Sequence, residues 1–468
     1  MNTVSGSAGA LFSMGADGLG AISLTLPSFN VIFKEAQGFA QSESVSWGAG
    51  VRSENGTTTW TATSTNYPGG AAVLVIKADG SYSFTLNAPI DHTVVLPLVE
   101  ENAFLNFGYT VTDGDGDQAS GLLTLRVNDD TPTASNVTPA AFDDEAQIVF
   151  LPANTGGTGD DSPDIKTISG NPGALFSMGS DGLGSISVAM PSFSVVYKDA
   201  NGFAQTESVS WGAGVRSAGG TTTWTATSTN YPTGTPAAVL VIKADGSYTF
   251  SLNAPVVHPT HTSSEENINL DFNYTVTDGD GDTAAARLRI SVDDDRPSSS
   301  GTVTAATILD DEAQTLFAGN NTPADGVTNI ATATGGAGSL FSMGSDAIAI
   351  TGPAFSVIWK DANGVAHTEA VSWGAGVRSA GGVTTWTATS AHYGSPTPAA
   401  MLTINADGSY GFTLNAPFAH TATANATGVE ENATLSFGFT VTDGDGDTAS
   451  GTLNINVNDD APVSTGMG

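Results

Sequence analysis

Cysteine is absent from the 468 residues of this chain. Its absence excludes disulfide bonds, thiolate metal sites and cysteine nucleophiles, so a chain that works outside the cell would need another means of becoming rigid. Long apolar runs are also lacking, and the sequence therefore predicts no membrane insertion. The first residues show no basic segment followed by an apolar stretch, the pattern of a secretory signal peptide. The protein is expected either to stay inside the cell or to leave it by a route that does not read the N-terminus.

Positive charge is scarce. The chain has 13 Lys and Arg against 47 Asp and Glu, which gives a formal net charge of -34. Nucleic acid and anionic membrane surfaces are therefore not expected partners, whereas divalent cations and cationic polymers suit this charge. Part of the charge also keeps the protein soluble.

Helical periodicity is lacking as well. No segment repeats apolar residues about every 3.6 positions between capping residues. Threonine, valine and aromatic residues instead alternate between turns that contain Gly, Pro or Asn. An Asp-Gly pair joins two such runs at Asp79-Gly80, Asp245-Gly246 and Asp407-Gly408, which is a strong signal for a β-hairpin. The pattern predicts an all-β fold of antiparallel sandwiches, with one large or two small sandwiches in each repeat.

One long pattern occurs three times. The strings LFSMG, VSWGAGVRS and TVTDGDGD each recur, and the last begins at Thr110, Thr275 and Thr440, 165 residues apart. A period of this length corresponds to a whole domain and not to the repeat of a solenoid. The sequence thus predicts a tandem array of three antiparallel β-sandwich modules.

Pro/Ser/Thr stretches between acidic clusters mark the joints of the array. The predicted divisions are β-module 1 at 1–130, truncated at its N-terminus, a linker at 131–142, β-module 2 at 143–295, a linker at 296–309, β-module 3 at 310–460, and the start of a further linker at 461–468. The chain is therefore expected to be part of a longer array.

Each module carries an Asp-Gly-Asp-Gly-Asp loop. Glycine between aspartates allows a tight path that turns several carboxylates toward one point, and calcium takes about six to eight oxygen ligands. The loop is not an EF-hand, because Gln118 stands where that motif has glycine and Thr124 where it has glutamate. We expect calcium with further ligands from outside the loop, in preference to solvated surface acids. The loop aspartates are Asp113, Asp115, Asp117, Asp278, Asp280, Asp282, Asp443, Asp445 and Asp447.

Further carboxylates are expected at the other end of the hairpin that carries this loop. A strand-length run separates each group from the loop, so the two ends lie roughly 30 Å apart, and the tail of one module would face the loop of the next. At the first joint the candidate ligands besides the loop of module 2 are Glu100, Glu101, Asp129, Asp130, Asp143, Asp144 and Glu145. At the second joint the candidates besides the loop of module 3 are Glu265, Glu266, Asp293, Asp294, Asp295, Asp310, Asp311 and Glu312. The loop of module 1 is expected to lack its partner in this chain.

A family resemblance is carried by the motifs FGYTVTDGDGDQASGLLTLRVNDDTP, FNYTVTDGDGDTAAARLRISVDDDRP and FGFTVTDGDGDTASGTLNINVNDDAP. They resemble the repeat modules of large type I secreted bacterial adhesins and repeats-in-toxin-associated proteins, which are similar in style to VCBS and cadherin-like repeats. The resemblance implies Ig/cadherin-like sandwiches, export through a C-terminal signal, folding on calcium outside the cell, and a place in cell adhesion or biofilm. The sequence departs from the family in two respects, because it has neither a run of glycine-rich nonapeptides nor a C-terminal secretion segment.

Other chemistry is less well supported by the pattern. No Ser-His-Asp set, nucleophile elbow or phosphate loop occurs, the acids stand on Gly-rich turns, and one matching histidine per module is a weak zinc signal. The recurrent Trp/Arg/Thr segment, with Trp47, Arg52 and Trp60 in module 1, gives an alternative function as a glycan- or surface-binding module. The same residues are typical of a core tryptophan beside an arginine. The sequence thus predicts a non-enzymatic, secreted or cell-surface repeat region that binds calcium and its neighbouring modules.

Overall fold

The computed structural model describes residues 2–92, 102–143, 165–200, 204–258, 267–294, 297–310, 330–342, 347–379, 381–421, 432–444 and 446–459. These residues form strands, turns and loops, and none of them is helical. Within these ranges there is accordingly no helix with the length and apolar character that crossing a membrane requires. The predicted all-β fold is confirmed.

The strands fall into three successive groups along the chain. The first group is β1 (Thr3–Gly6), β2 (Leu19–Thr25), β3 (Asn30–Lys34), β4 (Ala40–Ser44), β5 (Ser46–Trp47), β6 (Val51–Arg52), β7 (Thr58–Thr63), β8 (Ala72–Ile76), β9 (Tyr82–Leu86), β10 (Ala103–Asp113) and β11 (Gln118–Val127). The second group is β12 (Thr133–Ala134), β13 (Phe142–Asp143), β14 (Thr167–Gly170), β15 (Phe176–Ser177), β16 (Leu183–Ala189), β17 (Ser194–Lys198), β18 (Ala204–Ser208), β19 (Ser210–Trp211), β20 (Val215–Ser217), β21 (Thr221–Thr227), β22 (Ala238–Lys243), β23 (Tyr248–Leu252), β24 (Ile268–Asp278) and β25 (Thr283–Asp293). The third group is β26 (Ser298–Ser299), β27 (Thr302–Thr304), β28 (Leu309–Asp310), β29 (Thr332–Gly335), β30 (Phe341–Ser342), β31 (Ala347–Thr351), β32 (Ser356–Lys360), β33 (Ala366–Ala370), β34 (Ser372–Trp373), β35 (Val377–Arg378), β36 (Thr384–Thr389), β37 (Ala400–Ile404), β38 (Tyr410–Leu414), β39 (Ala433–Thr442) and β40 (Thr448–Asn458).

The same set of sheets occurs in each group. A 6-stranded sheet has the order β1-β9-β8-β7-β5 in the first group, with β6 also on β7, and it recurs as β14-β23-β22-β21-β19 and β29-β38-β37-β36-β34. A second sheet is built on the long hairpin β10–β11, β24–β25 or β39–β40, whose first strand also pairs with β2, β16 or β31. A separate short hairpin, β3–β4, β17–β18 or β32–β33, completes each group.

The two larger sheets of a group share one core. In the second group, the ring of Phe250 in the 6-stranded sheet lies 5.4 Å from the ring of Phe272 in the hairpin sheet, and Trp211 lies 5.6 Å from Phe272. Phe250, Phe272 and Trp224 belong to one continuous cluster of buried apolar residues. The third group has a similar single cluster, and the first has a main cluster with a small satellite. Each group therefore folds as a β-sandwich around its own core, and the three are called the first, second and third sandwich below.

Alternation of burial explains why these segments become strands. In β7 and β36, both TTWTAT, every second residue is buried, and Trp60 and Trp386 point into the core. The two tryptophans are 5% and 4% exposed. Successive residues of a strand point to opposite faces, so the threonines that alternate with the buried residues lie on the outer face of the sheet.

The Asp-Gly hairpins form where the sequence predicts them. Gly80, Gly246 and Gly408 have φ angles of 75°, 76° and 76°, which glycine adopts without steric cost. In the second sandwich, Asp245 Oδ1 accepts hydrogen bonds from the backbone N of Ser247 at 2.9 Å and from its Oγ at 2.6 Å. These bonds fix the turn that sets β22 against β23.

Gly246 is a position where the fold requires glycine. Besides its positive φ, a Cβ at this residue would lie 2.4 Å from the carbonyl oxygen of Phe176. Gly246→Ala should therefore lower the free energy of unfolding of the second sandwich by about 1–3 kcal/mol, measured as a shifted calorimetric transition of the full chain. Gly234→Ala is the matched control, because a Cβ there meets nothing within 4 Å. Equal shifts in the two variants would contradict this explanation.

The segments predicted as linkers contain strands. Within 131–142, β12 pairs with β15, and Val137 forms a parallel bridge with Leu288 of β25. Within 296–309, β26 pairs with β30, and β27 pairs in parallel with β40. The structure differs here from an extended linker, because the chain that leaves one sandwich runs along the edge of the next. Apart from these parallel edge pairs and the pairs of β13 and β28, the described ladders are antiparallel, and the exact domain boundaries stay a prediction.

Candidate metal centre at the first joint

The tip of the β24–β25 hairpin is the Asp-Gly-Asp-Gly-Asp loop of the second sandwich. Asp278 Oδ1 accepts hydrogen bonds from the backbone N of Gly281 at 3.0 Å and of Asp282 at 2.7 Å. Asp278 Oδ2 is buried and has no hydrogen-bond partner among the described residues. Asp113 and Asp443 accept the same two backbone bonds in the other loops. The first aspartate thus closes the turn with one oxygen, and in the second sandwich the other oxygen is available to a cation.

Carboxylates of the first sandwich meet this loop. Asp129 and Asp130 follow β11, and Asp181 precedes β16 of the second sandwich. The acids and one histidine form three overlapping sets of three residues, and within each set one ligand atom of every residue lies within 4.8 Å of the others. The sets are His92 with Asp129 and Asp280, Asp129 with Asp130 and Asp181, and Asp181 with Asp278 and Asp280. These six residues are called the first-joint cluster below.

Short contacts across the joint connect the cluster. His92 Nδ1 lies 3.2 Å from Asp129 Oδ1 and 3.5 Å from Asp280 Oδ2, so it lies between a carboxylate of each sandwich. Ser180 of the second sandwich donates to Asp130 from its backbone N at 3.2 Å and from its Oγ at 3.1 Å. A Cβ on Gly179 would lie 2.6 Å from the Asp130 carboxylate, so glycine allows this close approach.

Burial and repulsion between like charges dominate the electrostatics of the cluster. Asp181 is 3% exposed, and its burial, together with Asp130 and Asp280, raises its pKa to about 9. Burial and the neighbouring Asp280 raise the pKa of Asp278 to about 8. Burial also opposes the charged form of Asp280, but the hydrogen bonds from His92 and Asp278 and the charge of His92 together outweigh it and lower the pKa of Asp280. Without a cation, Asp181 and Asp278 are therefore mainly protonated at neutral pH, and a bound cation would favour their charged forms.

The donor set suits a hard divalent cation. Five carboxylates converge within the first-joint cluster, and Asp280 Oδ1, like Asp278 Oδ2, is a buried oxygen without a hydrogen-bond partner among the described residues. Calcium takes six to eight oxygens at about 2.3–2.6 Å in flexible geometry, whereas magnesium demands a tighter octahedron and keeps several waters. Histidine nitrogen is not a usual calcium ligand, and the position of His92 suits it to orient Asp129 and Asp280.

The equivalent loop of the first sandwich repeats the second-sandwich half of this cluster. Asp17, Asp113 and Asp115 have ligand atoms within 4.8 Å of one another, and they occupy the positions of Asp181, Asp278 and Asp280. Asp17 and Asp115 are exposed, and a hydrogen bond with Asp115 lowers the pKa of Asp113. Because this loop is exposed, it lacks the burial that raises the pKa of Asp181 and Asp278 at the first joint.

Part of the arrangement recurs at the far end of the second sandwich. His258 Nδ1 lies 3.2 Å from Asp294 Oδ1, as His92 does from Asp129. Asp294 is 2% exposed, and Asp447 in the loop of the third sandwich is also 2% exposed. The equivalent of Asp280 in the third loop, Asp445, lies outside the described residues.

Asp143 does not lie at the first joint. Its backbone pairs in parallel with Asp293, the last residue of β25, whereas the loop with Asp278 precedes β25. A strand of 11 residues separates the two ends, which corresponds to about 35 Å. The prediction that Asp143 faces the loop of its own module is wrong in this respect, because the bridge of Val137 carries the chain along β25 toward its other end. Asp310 likewise pairs with Asn458 at the end of β40.

Several predicted ligands lie outside the described residues. They are Glu100, Glu101, Asp144, Glu145, Glu265, Glu266, Asp295, Asp311, Glu312 and Asp445, and of Asp143 and Asp310 the backbone alone is described. For all of them, a role in metal binding stays a prediction.

Two members of the first-joint cluster, His92 and Asp181, are not among the sequence-predicted ligands. Both stand at recurrent positions, since His258 and His420 match His92 and since Asp17 matches Asp181. The recurrence is visible in the sequence, but its meaning depends on which loops the fold places at the joint.

The Trp/Arg/Thr segment serves the sandwich itself. Trp211 Nε1 donates to the carbonyl oxygen of Pro191 at 2.9 Å, and its ring packs edge-on against Phe272. Trp224 is 5% exposed, and Arg52 Nη2 donates to the carbonyl oxygen of Leu19 at 2.9 Å. Because these tryptophan rings pack within the protein, no observation here favours stacking on a sugar.

No protein-family model and no curated protein sequence matches this chain. Among solved structures, it is similar to a tetra-tandem repeat in the extending region of a large adhesion protein, with 16% identity, 94% of this chain and 83% of that chain covered, and a TM-score of 0.18. It is also similar to a structure of a 1.5-MDa bacterial ice-binding adhesin, with 12% identity, 94% and 99% coverage, and a TM-score of 0.22. A third is zebrafish RET cadherin-like domains 1 to 4, with 10% identity, 93% and 66% coverage, and a TM-score of 0.20. These similarities concern the fold alone.

Proposed function

We propose that this chain is a non-enzymatic, calcium-binding extender region of an exported cell-surface protein, and that calcium fixes the angle between successive sandwiches. The observation that carries the proposal is the first-joint cluster, in which acids of two sandwiches are buried together. Asp129 and Asp130 belong to the first sandwich, and Asp181, Asp278 and Asp280 belong to the second. A cation bound among them would tie the two sandwiches together.

The charge of the acids explains why calcium would stabilise the joint. Without a cation, the buried acids at the joint either hold protons or repel one another, and the whole chain carries a net charge of -34. A bound calcium ion would replace that repulsion with attraction to both sandwiches. The same ion would satisfy the buried oxygens of Asp278 and Asp280.

The expected affinity matches an extracellular role. Calcium sites of extracellular modules have Kd values of about 10⁻⁴ to 10⁻³ M, so millimolar external calcium would fill them. Low internal calcium would leave the joints less rigid before export. Adhesion at the cell surface and attachment to further modules of the same kind belong to this proposal.

Calorimetric titration of the full chain with calcium tests the proposal. Asp280→Asn should weaken binding at the first joint by about tenfold or more, because it removes a charged oxygen ligand from a buried cluster. The matched control is Asp115→Asn, since Asp115 holds the same place in the exposed loop of the first sandwich. It should leave the tightest binding phase unchanged. No calcium-dependent heat with the unaltered chain, or equal losses in both variants, would contradict the proposal.

A further inference from the structure

The short β3–β4 hairpin of the first sandwich reaches the second sandwich. The tip is closed by hydrogen bonds from Gly38 N to Glu35 O at 2.8 Å and from Glu35 N to Phe39 O at 2.9 Å. Beyond the tip, Gly220 N of the second sandwich donates to Gln37 O at 2.5 Å. The backbone of one sandwich thus bonds directly to the backbone of the next.

Phe39 is buried in the neighbouring sandwich and not in its own. It is 0% exposed, and it belongs to the apolar core cluster of the second sandwich. Arg216 Cζ lies 3.9 Å from the centre of the Phe39 ring, and Arg216 Nη2 also donates to Gly184 O at 3.0 Å. The guanidinium is held over the ring as a cation–π contact.

Other apolar residues of the hairpin continue this contact toward the acidic loop. Ile32 and Ala40 are each 3% exposed. A Cβ on Gly279, between the first two aspartates of the loop, would lie 2.7 Å from Ile32 Cγ2 and 3.0 Å from Ala40 Cβ. The glycine of the loop therefore lets the apolar hairpin pack against the backbone of the candidate metal centre.

Close backbone approach at the tip also depends on glycine. Gly38 has a φ of 90°, and a Cβ on it would lie 2.7 Å from Gly220 N. A side chain at this point would separate the two backbones. The tip and its receiving loop are therefore fitted to each other.

The third hairpin has no sandwich packed against its tip among the described residues. Ile358, Val365 and Ala366 hold the places of Ile32, Phe39 and Ala40 in the β32–β33 hairpin. Val365 is 53% exposed, and Ala366 is also exposed, whereas Phe39 and Ala40 are buried. The neighbouring sandwich, and not the hairpin itself, accounts for the burial at the first joint.

We infer that the β3–β4 hairpin is a metal-independent interlock, which docks Phe39 under Arg216 and holds the first two sandwiches in register before any cation binds. Its contacts are apolar, cation–π and backbone hydrogen bonds, and none of them uses a carboxylate. The interlock confines the angle of the joint and brings the acids of both sandwiches together. It does not depend on the proposed calcium site.

Distance measurements between spin labels test the interlock on the full chain. Because the chain has no cysteine, Thr3→Cys and Thr167→Cys place one label at equivalent exposed positions of the first and second sandwiches. With a chelator present, the labelled chain should give one narrow distance peak, which calcium can narrow further. Phe39→Ala in the same background should lose that narrow peak. Val365→Ala, the matched change in the exposed third hairpin, should preserve it.

A second variant separates the interlock from folding of the first sandwich. Arg216→Gln removes the cation from the other side of the contact and should also broaden the distribution, while calorimetry shows the transitions of both sandwiches retained. A distribution equally narrow in all four chains in chelator would overturn the interlock. A broad distribution already present in the unaltered labelled chain would overturn it as well. Repeating the measurement with calcium reports on the metal site separately, because calcium would narrow the distribution only if that site exists.

Discussion

Asp181→Asn should raise the melting temperature of the calcium-free chain and lower that of the calcium-loaded chain. Asp181 is 3% exposed and stands beside Asp130, Asp278 and Asp280, which together with burial raise its pKa to about 9. Without a cation, folding at neutral pH therefore requires Asp181 to take up a proton, and this uptake costs stability. Asparagine keeps a similar shape but carries no charge. The variant should therefore remove this free-energy cost from the folded calcium-free chain.

Calcium reverses the sign of this effect. When free calcium is about ten times the Kd, binding to the folded state adds about 1.4 kcal/mol of stability per site. Loss of the Asp181 charge should remove most of that gain at the first joint. Calorimetry should thus show that the variant melts at a higher temperature than the unaltered chain in chelator. In millimolar calcium the variant should melt at the lower temperature of the two.

Asp17→Asn is the internal control for this crossing. Asp17 has the place of Asp181 in the first sandwich, but its loop is exposed. Its replacement should shift both melting curves little and in the same direction. A variant at Asp181 that is destabilised in chelator and in calcium alike would exclude the proposed role, because a purely structural aspartate behaves in that way.

Much of the fold follows from local sequence patterns. The alternating runs around Asp245-Gly246 specify a hairpin by turn chemistry and by the face that each residue presents. The hairpin that carries Asp278 follows in the same way from two long alternating runs. Strand length then places the loop at one end and Asp129 at the other, so that a head-to-tail order brings acids of neighbouring sandwiches together. Local rules sufficed here because each feature lies within one hairpin.

The remaining features depend on contacts between segments that are distant in sequence. The segment near Val137 contains Pro, Ser and Thr, the composition of a linker. It nevertheless bridges to β25 and leads into the edge strand β13, because β25 offers unpaired backbone groups. That pairing moves Asp143 to the far end of the sandwich. His92 gives no metal signal alone, since its partners Asp129 and Asp280 come from other strands. Phe39 looks like an ordinary core residue of its own sandwich, and its docking under Arg216 is a property of the joint.

The interlock and the candidate metal centre have different roles at the joint. The apolar contacts of Ile32 and Ala40 lie directly against Gly279 of the acidic loop, so the hairpin positions that loop without neutralising it. A joint with the interlock alone would be confined, but its buried acids would lack a cation. A joint with calcium as well would be both confined and closed, which is the property that a long spacer requires.

Removing calcium should therefore change the shape of the full chain in solution. Small-angle scattering in millimolar calcium should report an extended particle with a well-defined maximum dimension. Excess chelator should lower the radius of gyration and broaden the distance distribution, because a joint confined by the interlock alone still samples a wider range of angles than a joint that also binds calcium. Charge repulsion along the chain opposes bending, so the comparison belongs at about 0.15 M salt, where the Debye length is about 8 Å.

Controls for the scattering experiment separate calcium binding from charge screening. Sodium chloride at the same ionic strength should not restore the extended form, because screening does not supply a ligand shared by both sandwiches. The Asp280→Asn chain should lose only part of the calcium response, because the loop of the third sandwich stays intact and can still bind calcium. Phe39→Ala should bend further than the unaltered chain in chelator and should regain length with calcium. Identical profiles in chelator and calcium would remove the mechanical role, even if calorimetry detected binding, because an ion that leaves the joint unchanged cannot stiffen the array.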